Sequence, residues 1–473
     1  MVRPESEGGF RAAPDNNGAK ARGIWEVAMS FDGQVISSAE QIAAVAGSRP
    51  RGRNFRWLII GAITLLVISN YLDRGNLSVA APLIMHDLGI SNTAMGVMLS
   101  AFVWPYALMN LPTGWLVDRF GPKLLMSFAA GLWSIVSVLT GFASSVAQFV
   151  GLRVALGISE APMFPGALKA TNAWFPKHEK ALATSIYIAA TQLGLALSPP
   201  LATVLMVKFG WPAMFIIIGL IGFIAVLGWL VLYREPENHP WVSREELAYI
   251  RSGQSDATAP GDTTGPALSI REWADLFRQA PIWIMIAGAF CLQYVFWFYI
   301  SWLPTYLERE QHISISRAGV LAALPFVAGA FGVLCGGKVS DWLVTRGVAP
   351  FVARRAVVAA GGFLTACTML ATALSTNSTA AVLLLTLGMF TYSLSSGCYW
   401  ALATEVVRTS RTVASVSSIQ NFGGFLGGAC APVATGIFID RFGGFDVAIM
   451  VTAVLALISA ALYGIVLRRR VAS

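Results

Sequence analysis

The chain has 473 residues and a formal net charge of +8, yet only 12% of its residues are charged and 56% are hydrophobic. Soluble domains carry about 25% charged residues, so this composition excludes an ordinary soluble enzyme, a disordered chain and a nucleic-acid binder. The basic excess fits a membrane protein with basic cytoplasmic loops instead.

Residues 1–56 are polar and Gly-rich, with no basic start, apolar run and small-residue cleavage site of a signal peptide. They read as a mostly disordered cytoplasmic tail. A membrane helix needs about 20 mostly apolar residues. Six candidates follow at 57–85, 93–117, 122–142, 146–171, 179–206 and 211–233. The stretch 234–280 is polar and reads as a cytoplasmic loop, with a short amphipathic helix over Trp241–Ile250 and a linker over 252–265. Six more candidates run at 281–306, 316–342, 354–375, 380–406, 412–438 and 444–467, before a short cytoplasmic tail at 468–473. The expectation is an all-α integral membrane protein. Twelve transmembrane helices form two six-helix bundles, one over 57–233 and one over 281–467.

Orientation follows from the positive-inside rule. If the loop after the second span is inside, the inner loops hold Arg119, Lys123, Lys169, Lys177, Lys180, Arg346, Arg354, Arg355, Arg408 and Arg411. The outer loops then hold Lys208, Arg309, Arg317 and Arg441. Arg51, Arg53, Arg56 and Arg468 to Arg470 also fall inside, which makes both termini cytoplasmic.

The halves echo each other. Gly114-Trp-Leu-Val-Asp118-Arg119-Phe-Gly121-Pro-Lys123 follows the second span, and Gly337-Lys-Val-Ser-Asp341 follows the eighth. Phe209-Gly210-Trp211 precedes the sixth span as Phe442-Gly443-Gly444 precedes the twelfth. Two pseudo-symmetric bundles with a site at the midplane between them are a transporter plan. The Gly114–Lys123 loop resembles the G-x-x-x-D-R-x-G-x-K/R motif of the major facilitator superfamily (MFS), which implies the MFS fold. Physically it reads as a tight turn with Asp118 placed to hold a basic group or helix end across the cytoplasmic face, a latch for the outward-facing state. Asn70-Tyr-Leu-Asp73-Arg74, Ser100-Ala-Phe-Val-Trp-Pro-Tyr106, Gly157-Ile-Ser-Glu160-Ala-Pro162, Trp174-Phe-Pro176 and Trp302-Leu-Pro304-Thr-Tyr306 narrow the resemblance. They are similar to the anion:cation symporter branch, which includes galactonate, glucarate and phthalate-type permeases and the vesicular glutamate and sialic acid carriers.

Ionisable groups inside spans are costly and functional by default. Four lie deep: Asp73, Arg74, Arg153 and Glu160. Asp73 and Arg74 are adjacent, about 100° apart on a helix, and face different neighbours. Arg153 and Glu160 share one face of span 4, about 10 Å apart along the axis. Arg153 favours ionised Glu160, or both share a polar seam with span 1. Arg74 offers a planar fork of donors suited to a carboxylate and reads as the substrate anchor. Asp73 and Glu160 read as proton carriers. The resemblance implies the same roles, and it places Tyr71 and Tyr106 near the substrate. The alternative is a buried ion-pair network that only holds the bundle together.

Neutral candidates complete the set: Gln192 in span 5, Gln293, Tyr294 and Trp297 in span 7, Tyr392, Ser393 and Ser396 in span 10, and Gln420 and Asn421 in span 11. Gly423/Gly427 and Gly424/Gly428 have small-xxx-small spacing for close helix contact. Glu405 is placed to meet the loop arginines. Prolines 105, 112, 162, 165, 199, 200, 304, 325 and 432 mark kinks or breaks. His86, His178, His239 and His312 fall in predicted loops without metal-ligand spacing. Cys291, Cys335, Cys367, Cys398 and Cys430 read as small core residues. No cofactor, metal site or catalytic set is expected.

The expected function is proton-coupled symport of a small organic carboxylate such as a sugar acid, by a monomer in a bacterial inner membrane. The partners are the organic anion, protons and the lipid bilayer. A sugar acid would use hydroxyl partners such as Asn421, Gln420 and Ser396, and an aromatic carboxylate would use a flat slot lined by Trp297, Phe298 and Tyr392. A drug or phosphate-ester antiporter lacks support, because Gln192–Pro200 does not match the Gly/Pro-rich antiporter motif and span 7 carries no deep Arg. A non-transporting membrane sensor is the alternative from another class.

Overall fold

The computed structural model describes residues 54–252, 270–406 and 410–467. The tail 1–53, nearly all of the 252–265 linker, the 468–473 tail and Arg408 lie outside the described residues. Within them all regular structure is helical.

Helix α1 (Phe55–Leu88) is the first span. Helix α2 (Asn92–Ser100) and the start of α3 (Val103–Thr140) form the second, and the rest of α3 beyond Gly121 forms the third. Helices α4 (Val146–Glu160) and α5 (Met163–Trp174) form the fourth. Helix α6 (Lys177–Leu232) holds the fifth and sixth, divided at Gly210. The short α7 (Arg244–Ser252) and α8 (Ile270–Asp275) precede α9 (Ala280–Arg309), the seventh span. Helices α10 (Ile315–Leu321) and α11 (Ala323–Thr345) form the eighth. Helices α12 (Pro350–Ala373), α13 (Ser378–Val406) and α14 (Ser410–Phe442) follow. Helix α15 (Asp446–Ala461), continued by a π turn over Leu462–Val466, completes the twelve. The MFS fold expected from the sequence is therefore present.

Three spans break where proline chemistry puts the break. A proline lacks the N–H that would bond the carbonyl four residues earlier and its ring crowds that turn. Interruptions at Ala101–Phe102, Ala161–Pro162 and Ala322 precede Pro105, Pro165 and Pro325 by three or four residues. Pro112, Pro199, Pro200, Pro304 and Pro432 stay inside continuous helices.

The internal repeat reaches the backbone. Gly121 and Gly347 have φ of 75° and 90° at equivalent turns, and Gly210 and Gly443 have φ of 84° and 78°. Side chains rarely tolerate that region. Both halves thus reverse direction on the same two glycines.

The bundles meet along α2–α14, α6–α11 and α1–α9. Their seam differs at its two ends. Toward Asp440 it is sealed: a side chain at Gly96 would strike the Pro432 carbonyl, and one at Gly436 the Asn92 carbonyl. Ser100 Oγ donates to the Ala429 carbonyl at 2.6 Å. Toward Asp118 no such close approach is seen at Gly114 or Gly337, where an added side chain would meet nothing within 4 Å.

Helix α7 starts three residues later than expected and is fastened to the first bundle. Glu246 accepts from the backbone N–H of Phe55 and Arg56, both at 3.1 Å, so it caps α1 from a distance in sequence. Arg56 Nε reaches Glu179 Oε2 at 2.8 Å, and the Tyr249 hydroxyl donates to Glu179 Oε1 at 3.0 Å.

Some expectations need correction. His86 and His178 lie in terminal turns of α1 and α6, because those helices run further than hydropathy alone indicates. His239 does lie in a loop, as expected, and is buried there with its Nε2 2.9 Å from the Leu232 carbonyl. Cys335, Cys367 and Cys430 are on the bundle surface, and only Cys291 and Cys398 are buried among the five. An apolar stretch in a membrane helix has a lipid-facing side as well as a core side. Glu405 pairs with Arg354 at 2.5 Å as anticipated.

Candidate substrate and proton site

Arg74 and Glu160 form the centre of the site. Arg74 Nε lies 2.9 Å from Glu160 Oε2, joining α1 to the end of α4, and Glu160 is fully buried. The guanidinium is framed by three rings, with its carbon 4.5 Å from the centroid of Tyr71, 4.7 Å from Tyr106 and 5.1 Å from Phe102. Such faces attract a cation, more so when water is excluded. Arg74 Nη2, Glu160 Oε1 and both amide atoms of Asn70 are buried without a hydrogen-bond partner. A buried donor left unpaired costs about 1–3 kcal/mol, so one edge of this arginine is held and the other lacks an acceptor. A carboxylate would supply it.

Asp73 faces the other way, toward α3. It accepts from Ser137 Oγ in a short bond and from Asn76 Nδ2 at 3.2 Å. Its Oδ2 has no partner. Arg153 Nη2 donates to Asn76 Oδ1 at 3.0 Å, and Nη1 to the Asp73 carbonyl at 3.4 Å. Arg153 therefore does not pair with Glu160. The two share a face of α4, but their axial separation sends each across to α1, where Glu160 meets Arg74 and Arg153 meets Asn76.

The C-terminal bundle contributes neutral groups. Tyr392 donates to Gln293 Oε1 at 2.5 Å, and Phe296 stacks on Tyr392 at 5.6 Å. Ser396 is half-buried one turn beyond. Trp297 faces Phe102 at 6.3 Å and Phe425 faces Tyr106 at 5.5 Å, so the arginine's ring cage touches both bundles. Asn421 is one turn before Phe425 on the same helix face, and it is half-buried. Gln192 reaches across to Gly329 of α11.

Three candidates turn elsewhere. Gln420 is 1% exposed, and its Nε2 donates to the Tyr399 carbonyl at 3.0 Å inside the bundle. Ser393 packs against Gly329 and Gly332 of α11. Tyr294 is buried with its hydroxyl beside Thr435 of α14. One step along a helix rotates a side chain by about 100°, which separates Gln420 from Asn421. The glycine pairs of α14 serve packing: Gly423 and Gly427 lie on the Ile286 and Phe290 backbone, and Gly424 and Gly428 on Gln293 and Trp297.

At the opposite end of the seam from Asp440, Asp118 pairs with Lys169 of α5 at 3.0 Å. The basic group that Asp118 meets thus belongs to its own bundle. Arg119 lies over Trp115 and Phe120, the Lys123 carbonyl accepts from Ser127 Oγ at 2.7 Å, and Asp341 is exposed.

Sequence reasoning did not single out Asn76, Ser137 and Phe102 as site residues, nor Asn70 beyond its motif. Asn70, Asp73 and Asn76 recur every three residues, a polar stripe that could have been read. Ser137 carries no such signal among the many hydroxyls of membrane helices.

Residues 63–428 match the Major Facilitator Superfamily. The chain is 38% identical over 384 residues to the probable L-galactonate transporter of Escherichia coli strain K12, covering 81% of this chain and 83% of the relative. It is 34% identical to the probable sulfoacetate transporter SauU of Cupriavidus necator, covering 85% and 91%. It is 33% identical to the D-galactonate transporter of an Escherichia coli O6:H1 strain, covering 89% and 96%. Among solved structures, a bacterial homologue of the human lysosomal transporter Spinster, inward-facing and unoccupied, matches with a TM-score of 0.73 at 21% identity. That match covers 89% of this chain and 98% of the other.

Proposed function

This chain belongs to the major facilitator superfamily and is a multi-pass secondary transporter, not an enzyme; from that premise we propose that it imports a small organic carboxylate, of the sugar-acid class, together with protons. The observation that carries the proposal is Arg74, bound on one edge to Glu160 and lacking an acceptor on the other, inside a ring cage that touches both bundles.

In this reading the Asp118 end faces the cytoplasm of a bacterial inner membrane and the bundles are inward-facing. In the outward-facing state a proton neutralises Glu160 and frees Arg74 for the substrate carboxylate. Asp73, held by Ser137 and Asn76, takes a second proton apart from the substrate. Gln293, Tyr392, Ser396 and Asn421 meet substrate hydroxyls. The loaded bundles rock, and loss of the proton inside restores the Arg74–Glu160 pair and expels the anion. If two protons travel with a monovalent anion, one net charge enters, worth about 2.3 kcal/mol per 100 mV.

The relatives named for galactonate support a polyhydroxy acid, and the Tyr392–Gln293 pair offers hydroxyl-binding chemistry on the facing side. A second reading, an aromatic carboxylate, draws on the Trp297–Phe102 ring pair. Uptake into proteoliposomes under an imposed proton gradient, with galactonate and a benzoate-type acid in parallel, tests both. Uptake that ignores collapse of both the pH gradient and the potential would reject proton coupling.

A further inference from the structure

The seam is sealed at one end by a carboxylate that the transport scheme above does not use. Asp440, in the last turn of α14, accepts four hydrogen bonds from the start of α2 in the other bundle. Oδ1 takes the Asn92 backbone N–H at 3.2 Å and Asn92 Nδ2 at 2.8 Å. Oδ2 takes the Thr93 backbone N–H at 2.7 Å and Thr93 Oγ1 at 2.5 Å. Asn92 Oδ1 in turn accepts from Arg309 Nη1 of α9 at 3.1 Å.

The arrangement is a helix cap supplied by a different bundle. Ser91 caps only the Ala94 N–H of α2, which leaves the two preceding donors to Asp440. A helix N-terminus favours a negative charge, and charge-assisted bonds are stronger than neutral ones. Behind the cap, Gly96 and Gly436 bring the two helix backbones into contact. The bundles cannot part at this end without breaking all four bonds and leaving two helix-terminal N–H groups to water.

We propose that Asp440 is the latch of the closed end of the seam, the counterpart of the Asp118 loop at the opposite end, and that it sets the balance between the two access states. Naming its end the outer one rests on the orientation proposed above. The latch itself does not, and its test needs no substrate.

The experiment uses the full chain in a cysteine-free background, in lipid nanodiscs, with spin labels at Ser144→Cys and Thr376→Cys, positions in two loops at the Asp440 end. Electron–electron distances report closed and parted populations. Asp440→Asn keeps the shape but cannot accept all four bonds. The expected result is a shift toward the longer distance by roughly tenfold in the population ratio, the size of one charge-assisted bond lost. Asn92→Ala is expected to move it the same way by less. Asp118→Asn, at the opposite end and paired within its own bundle, is the control. An unchanged distribution in both Asp440→Asn and Asp440→Ala, or an equal shift from Asp118→Asn, overturns the assignment.

Discussion

On the N-terminal side of the seam stand Asp73, Arg74, Arg153 and Glu160. The C-terminal side answers with Gln293, Trp297, Tyr392 and Asn421, none of them charged. The two bundles share a fold, a repeat and the same turning glycines, yet only one retained groups that cost several kcal/mol each to bury. Within that bundle each charge is met: Glu160 by Arg74, Arg153 by Asn76, Asp73 by Ser137 and Asn76. Charges concentrate where other polar groups can offset their desolvation. The facing side, free of that demand, is left to shape and neutral hydrogen bonds. On the function proposed above, this division would put energy coupling in one bundle and much of the recognition in the other.

The largest effect that would break this division comes from Arg74→Ala. On the proposed reading it removes the donors for the substrate carboxylate and strands Glu160, so binding measured by thermal shift is expected to fall at least a hundredfold, as when one partner of a buried hydrogen-bonded charge pair is truncated. Arg74→Lys restores little, because an ammonium cannot hold Glu160 and a substrate in one plane. Glu160→Gln comes next. Counterflow of substrate is expected to persist, while acceleration by a proton gradient disappears; full proton-driven uptake by this variant would remove Glu160 from the coupling path.

Smaller effects sharpen the boundary. Tyr392→Phe and Gln293→Ala each cost about one hydrogen bond, roughly fivefold to tenfold in KM, and alter the preference among hydroxylated acids. Their ratio of protons to substrate, read by reversal potential in proteoliposomes, is expected to stay unchanged. A changed ratio would mean that the C-terminal side takes part in coupling. The smallest effect is expected from Gln420→Met, which loses the bond to the Tyr399 carbonyl. Stability drops by about 1 kcal/mol in denaturation, and KM stays put.

Much of this was legible beforehand because membrane helices advertise themselves. Twelve apolar stretches, basic connecting loops and a Gly–Asp–Arg–Gly loop follow from the cost of polar groups in lipid, and so does the conspicuousness of Asp73, Arg74, Arg153 and Glu160. The partners were harder to read. Spacing along α4 set Arg153 and Glu160 about 10 Å apart and left open a shared seam with the first span; α1 does meet both, but the individual partners, Asn76 and Arg74, are not displayed by a sequence. Gln420 and Asn421 look alike on paper, and rotation about α14 sends one inward and the other toward the seam. The proline breaks in spans 2, 4 and 8 were foreseeable in kind, though not the residue at which each helix lets go.

The docking of α7 changes where the two halves of the molecule are joined. With Glu246 capping α1, and Arg56 and Tyr249 both bound to Glu179, this helix travels as cargo of the first bundle. The fastenings of the first bundle therefore extend to α7 and do not end at Tyr233. A gene split after Ser252 would yield two fragments that each keep their own fastenings, whereas one split after Tyr233 would strip the cap from the first helix.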